Sequence, residues 1–129
     1  MRHTGYTLSY SEEHEQAEWV AYKLTIEELQ GDVERTDNFR EDKKVDTETA
    51  SLSDYRGSGY DRGHLAPAAD FSWSEEAMSD TFYLSNMSPQ KPGFNRGIWR
   101  SLESQVREWA IRDKALLVVT GPVFERCRV

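Results

Sequence analysis

The apolar residues of this chain change their period along its length, and that change limits the folds open to it. Residues 17–26 set Trp19, Ala21, Leu24 and Ile26 among polar neighbours in loose alternation, the pattern of a half-buried strand. Farther on, Ile98, Trp99, Leu102, Val106, Trp109 and Ala110 recur at spacings of 1, 3, 4, 3 and 1, one face of an amphipathic helix. Residues 115–120 are an unbroken apolar run closed by Gly121-Pro122, which reads as a buried strand. Residues 81–87 read as another short strand, after which Pro89, Pro92 and Gly93 forbid regular structure until Asn95. Strands and a helix without βαβ alternation predict an α+β fold, with Trp99 and Trp109 in its core.

The chain has 129 residues, the size of one domain with one core. Its 4 Trp, 6 Tyr and 5 Phe argue against disorder. No apolar run approaches the length of a membrane-spanning helix. Cys127 is the sole cysteine, so an internal disulfide is excluded, and its place near the C-terminus reads as an incidental thiol. A zinc site drawing on His3, His14 and Cys127 has no recognisable ligand spacing.

A net charge of −7 looks wrong for a chain that handles polyanions, so its distribution matters. Residues 1–50 carry 6 basic against 13 acidic side chains, whereas residues 51–129 balance at 10 each. Within 91–107, Lys91, Arg96, Arg100 and Arg107 face Glu103 alone. The acidity belongs to the N-terminal third, much of which (31–54) reads as a long surface loop, and a polyanion could still bind the rest.

Three segments hold more chemistry than packing needs. Residues 55–64 pack three glycines into ten residues and end in Asp61-Arg62-Gly63-His64. A neutral imidazole can take a proton from water, and a guanidinium two residues earlier can hold a phosphate oxygen by charge-assisted bonds. Ser85-Asn86-Met87-Ser88-Pro89-Gln90 puts two amides in a turn. Asn95-Arg96-Gly97-Ile98-Trp99-Arg100-Ser101-Leu102-Glu103 sets an amide and a carboxylate two helical turns apart. Singly, each has a plainer reading: His64 a hydrogen-bonded turn residue, Asn95 a helix N-cap, Glu103 and Arg107 an i,i+4 surface pair, Arg96 and Arg100 a solvated face.

Together, and in this order, the motifs resemble the DNA/RNA non-specific endonuclease family, the ββα-metal or His-Me finger nucleases. The likeness runs from about Tyr22 to Phe124, with its specific motifs in 55–107. It implies an antiparallel sheet flanked by helices and carrying a ββα-metal motif. It also implies a Mg²⁺ cofactor, replaceable by Mn²⁺, and hydrolysis of DNA and RNA through backbone contacts without sequence preference. Carried over residue by residue, His64 is the general base, Arg62 a phosphate contact, Asn95 the direct metal ligand and Glu103 a partner orienting the ion's waters. Arg107 lies near the scissile phosphate. Asn86 and Gln90 are supporting or substrate-contacting amides, with Asp61 and Arg96 beside them. The family also uses an upstream arginine, for which Arg35 and Arg40 are both candidates.

Family domains usually continue past the Gly-Pro-Val-Phe stretch. This chain is therefore expected to be one nuclease domain, residues 1–129, incomplete at its C-terminus or completed by another chain. An open strand edge near 115–120 leads to the expectation of a homodimer. With no leader visible, the chain is expected to be secreted or periplasmic after leader removal. The competing reading is a catalytically inactive module that binds nucleic acid or a partner protein.

Overall fold

The structure, a computed structural model, describes residues 1–45 and 49–124. In chain order its elements are β1 (Thr7–Ser11), β2 (Gln16–Thr25), the single turn α1 (Leu52–Tyr55), β3 (Asp61–His64), α2 (Glu75–Asp80), β4 (Met87–Gln90), α3 (Pro92–Phe94), α4 (Arg100–Asp113) and β5 (Ala115–Thr120). Strands β1, β2 and β5 form one antiparallel sheet in that order, and β3 and β4 form a second antiparallel pair. The α+β class expected from the sequence holds. Cys127 lies outside the described residues. Among those described, no helix is long and apolar enough to cross a membrane.

β2 forms where alternation predicts it and Leu24 is buried as expected, but Trp19 and Ala21 are not. Tyr10 pairs with Ala17 and Ser9 with Trp19, so Glu18 is an extra residue in β2. The bulge turns the pleat over. Ala17, Val20, Tyr22 and Leu24 therefore face the core, while Trp19 is 40% exposed. They pack with Tyr6, Leu8, Leu65, Phe71 and Ala77, and with Ala110 of α4.

The expected strand at 81–87 is a 3₁₀ turn, Leu84–Asn86, and the strand starts only at Met87. Pro89 sits inside it opposite Arg62. That is tolerated because the pair has only edge strands, where a missing N–H need not break a ladder. Strand β5 is not buried: it lies at the sheet edge with Leu117 and Val119 exposed and Leu116 and Val118 half-buried. Trp109 is exposed too, and Trp99 is half-buried, so neither belongs to the core.

The described residues of the acidic 31–54 segment are largely irregular, as expected, yet they are pinned to the second core. The Val33 amide donates to Ser72 O at 2.9 Å, and Leu84 N donates to Arg40 O at 2.7 Å. Phe39 and Val33 pack against Phe82, Leu84, Met87, Met78, Ala68 and Tyr55. This cluster lies directly beneath His64.

Candidate active site

His64 ends β3, held by a buried clamp. Asn86 is fully buried and spends its amide on the next segment. Its Oδ1 accepts from Ala66 N at 2.9 Å, and its Nδ2 donates to Ala66 O at 3.0 Å and Thr81 O at 2.9 Å. The Leu65 amide donates to Asn86 O. Asn86 thus fixes the backbone leaving His64 and does not line the cavity described below. Gln90 lies across the strand pair against Gly63, where an added Cβ would meet Gln90 Cδ at 2.2 Å. That glycine is needed for close packing, and Gln90 is also absent from the cavity wall.

The ring of His64 stands edge-on to Phe82, 4.9 Å between centroids, and to Phe39 at 5.9 Å. Its Nε2 is closed off from solvent and has no hydrogen-bond partner among the described residues. Burial pushes the imidazole pKa down to about 3, helped by the charges of Arg35 and Arg62, so the ring is neutral at physiological pH. A buried nitrogen left unpaired in a native fold calls for a functional account.

Asn95 arrives from the other direction. It does not cap a helix: its backbone is already helical, and α3 continues through it into a widened turn, Asn95–Trp99. Gly97 departs from helical geometry within that turn, at φ −107° and ψ −105°. Such one-turn widenings recur at functional sites, and here it breaks the regular two-turn spacing between Asn95 and Glu103. Trp99 then ties the helical arm to β3, donating from Nε1 to His64 O at 3.3 Å.

The Asn95 side chain donates from Nδ2 to Asp61 Oδ2 at 2.9 Å. Arg96 grips both oxygens of the same carboxylate, at 2.9 and 2.8 Å. These bonds, that of Arg96 first, hold Asp61 below the usual carboxylate range. With its NH₂ group committed, Asn95 has only its Oδ1 to offer a ligand.

One open cavity of about 390 Å³ brings the two arms together. His64, Asn95 and Glu103 line it with Arg35, Arg62, Arg96, Arg100 and Arg107. Arg35 rather than Arg40 reaches it. The Arg40 guanidinium is turned to Ser79 O at 2.9 Å and lies over the Tyr83 ring. Burial raises the Glu103 carboxyl to about 7, and the neighbouring Asp70 adds to the rise while Arg107 opposes it.

Asp70 was missed in the sequence. It is almost fully buried, accepting the Tyr22 hydroxyl at 2.7 Å and Arg107 Nη1 at 3.3 Å. It anchors Arg107 at the cavity wall from below. A lone acid ending the apolar run Leu65-Ala66-Pro67-Ala68-Ala69 was the available signal.

A family description, DNA/RNA non-specific endonuclease, matches residues 1–128. The chain belongs to this family. It is 46% identical over 122 residues to human mitochondrial endonuclease G, covering 93% of this chain and 41% of that protein. It is 43% identical over 119 residues to the mitochondrial nuclease of Saccharomyces cerevisiae, 89% of this chain and 36% of that one. A crystal structure of an EndoG/EndoGI complex superposes with a TM-score of 0.92 at 37% identity, covering 97% of this chain and 53% of the matched chain. The chain thus spans about two-fifths of the length of the curated relatives it matches. Both named relatives are mitochondrial proteins, which corrects the expectation of a secreted or periplasmic one.

The family implies a divalent metal. Among the described residues no group of three or more His, Cys, Asp or Glu side chains gathers as a metal cluster. What the cavity offers is one neutral amide oxygen with a half-buried carboxylate nearby. That donor set fits a hard cation that keeps most of its waters and takes few protein ligands.

Proposed function

We propose that this chain forms the catalytic core of a Mg²⁺-dependent nuclease, with Mn²⁺ as a substitute, that hydrolyses phosphodiester bonds in DNA and RNA without sequence preference. One observation carries the reading: a neutral imidazole and an amide oxygen, from separate arms of the fold, line one open cavity rimmed by five arginines.

Water attacks phosphorus while His64 takes its proton, and the bond to the 3′ oxygen breaks to leave a 5′-phosphate. A positioned base of this kind contributes about 10²–10⁴ in rate. Arg62 and Arg107 hold the non-bridging oxygens and neutralise charge as it builds, and Arg35 and Arg100 draw the strand into the cavity. Asp61 orients Asn95, whose Oδ1 would hold the cation, and Glu103 would accept hydrogen bonds from the waters such a cation keeps. When bound, Mg²⁺ polarises the phosphoryl group and stabilises the leaving oxygen. Contacts confined to the backbone carry no base information, hence no sequence preference.

The mitochondrial relatives support a mitochondrial place of action. Among the described residues β5 is an edge strand with Leu117 77% exposed, which supports a homodimer that pairs or covers it. Incubating the chain with plasmid DNA and with RNA, in Mg²⁺ and in EDTA, tests the enzymatic reading. Cleavage of both polymers that EDTA abolishes is expected; intact substrates in Mg²⁺ would overturn it.

A further inference from the structure

A second cavity, of about 430 Å³, opens beside the first and shares Arg62 and Asn95 with it. Its character differs. Three rings, of Phe39, Tyr55 and Tyr60, share its remaining wall with Leu52, Arg56 and the Asp61 carboxylate. The size falls in the range of small-ligand sites.

The chain holds Tyr60 at this cavity with some care. Ser58 Oγ donates to Tyr55 O at 2.7 Å and accepts from Tyr60 N at 3.1 Å. Gly57 and Gly59 carry φ of +71° and +85° with nothing near where a Cβ would be, so only their backbone freedom is needed. The outcome is a tyrosine 48% exposed, immediately before Asp61, Arg62 and His64 in β3. The Phe39 ring is already covered by the Arg62 guanidinium, 3.9 Å from its centroid. Tyr60 is therefore the ring left open to a visitor.

The geometry points to a nucleobase-stacking subsite: the base of a nucleotide flanking the phosphate at Asn95 turns out of its strand and stacks on Tyr60, with Arg56 and Arg62 beside its backbone. The inference rests on the nuclease reading for the position of that phosphate. It extends that reading to a preference for strands whose bases are free to turn outward, single strands above duplexes. Stacking on an aromatic face suits any base, so the subsite adds affinity without adding sequence specificity.

The test uses the intact chain in EDTA with a short single-stranded oligonucleotide carrying 2-aminopurine, whose emission is quenched by stacking. Binding should quench the probe. Tyr60→Ala should relieve the quenching and weaken binding about 5- to 100-fold, the span expected for one base–aromatic stack. Tyr60→Phe, which keeps the ring, should stay within about twofold of the parent. Tyr60 is exposed, so these changes leave the core untouched, and circular dichroism checks it. A Tyr60→Ala variant that binds and quenches like the parent overturns the subsite, and the nuclease reading stands if plasmid is still cut in Mg²⁺. Quenching through Tyr60 by a chain that cuts nothing upholds the subsite and overturns the nuclease. A chain that binds no oligonucleotide overturns the subsite, and it overturns the nuclease as well only if plasmid stays intact in Mg²⁺.

Discussion

Asp61 receives the side-chain amide of Asn95 at 2.9 Å and so fixes which end of that amide faces a ligand. An asparagine side chain can present either its oxygen or its nitrogen, and a cation needs the oxygen. Asp61→Ala removes that bias and should weaken divalent-cation affinity about 10- to 100-fold, measured by calorimetric titration. Arg96 grips the same carboxylate but is 71% exposed, so Arg96→Ala should leave cation affinity nearly unchanged. Equal losses from both changes would mean that the pair acts only as a surface tether.

The Tyr22–Asp70–Arg107 chain gives a second expectation. Tyr22→Phe deletes the hydroxyl that Asp70 accepts and should cost about 1 kcal/mol of stability in denaturant titration. Asp70→Ala strands Arg107 half-buried with no acid beneath it and should cost more, roughly 3 kcal/mol. Cleavage should fall in both variants, further in Asp70→Ala.

Acid and base titrations in this site oppose each other. His64 has its pKa lowered from 6.5 to about 3, so the unfolded chain binds the extra proton and stability is lost as pH falls through that window. Glu103 has its pKa raised from 4.5 to about 7, so the folded chain binds the extra proton and stability is lost as pH rises through that window. In metal-free protein the two slopes offset between about pH 5 and 6. Glu103→Gln leaves His64 alone, and stability should then fall by about 1.4 kcal/mol per pH unit on acidification in that interval. Thermal unfolding across pH measures it, and an unchanged profile would contradict the burial of either group.

Gly63 is required by contact rather than by conformation. Gly63→Ala would bring its methyl onto the far end of the Gln90 side chain, which must swing aside from the strand pair that ends in His64. Activity should fall a few-fold, and Gln90→Ala in the same chain should restore most of it. Failure of the double change to recover would place the fault in the backbone.

Much of this site was legible because its chemistry sits in short contiguous motifs: Asp61-Arg62-Gly63-His64 names the strand end, and Asn95 with Glu103 names the helical arm. What escaped was three-dimensional. An extra residue at Glu18 puts Ala17 on the same buried side of β2 as Val20, Tyr22 and Leu24, and no local pattern announces a bulge. Gly97 widens the turn after Asn95, so angles taken from an ideal helix misplace its neighbours. Of the supporting or substrate-contacting roles open to Asn86 and Gln90, the fold gives Asn86 a supporting one, clamping the backbone after His64, and packs Gln90 on Gly63. Choosing Arg35 over Arg40 required knowing that Tyr83 and Ser79 hold the latter away. Asp70 lies thirty-seven residues before the arginine it anchors, a pairing only the fold creates.

The account depends above all on His64 acting on a phosphate held opposite Asn95, and the most direct test is plasmid cleavage by His64→Ala in Mg²⁺ alongside the parent. The variant should fold and bind the cation as the parent does while losing about 10²–10⁴ in cleavage rate. A folded, cation-bound His64→Ala protein that cuts at the parent's rate would contradict it.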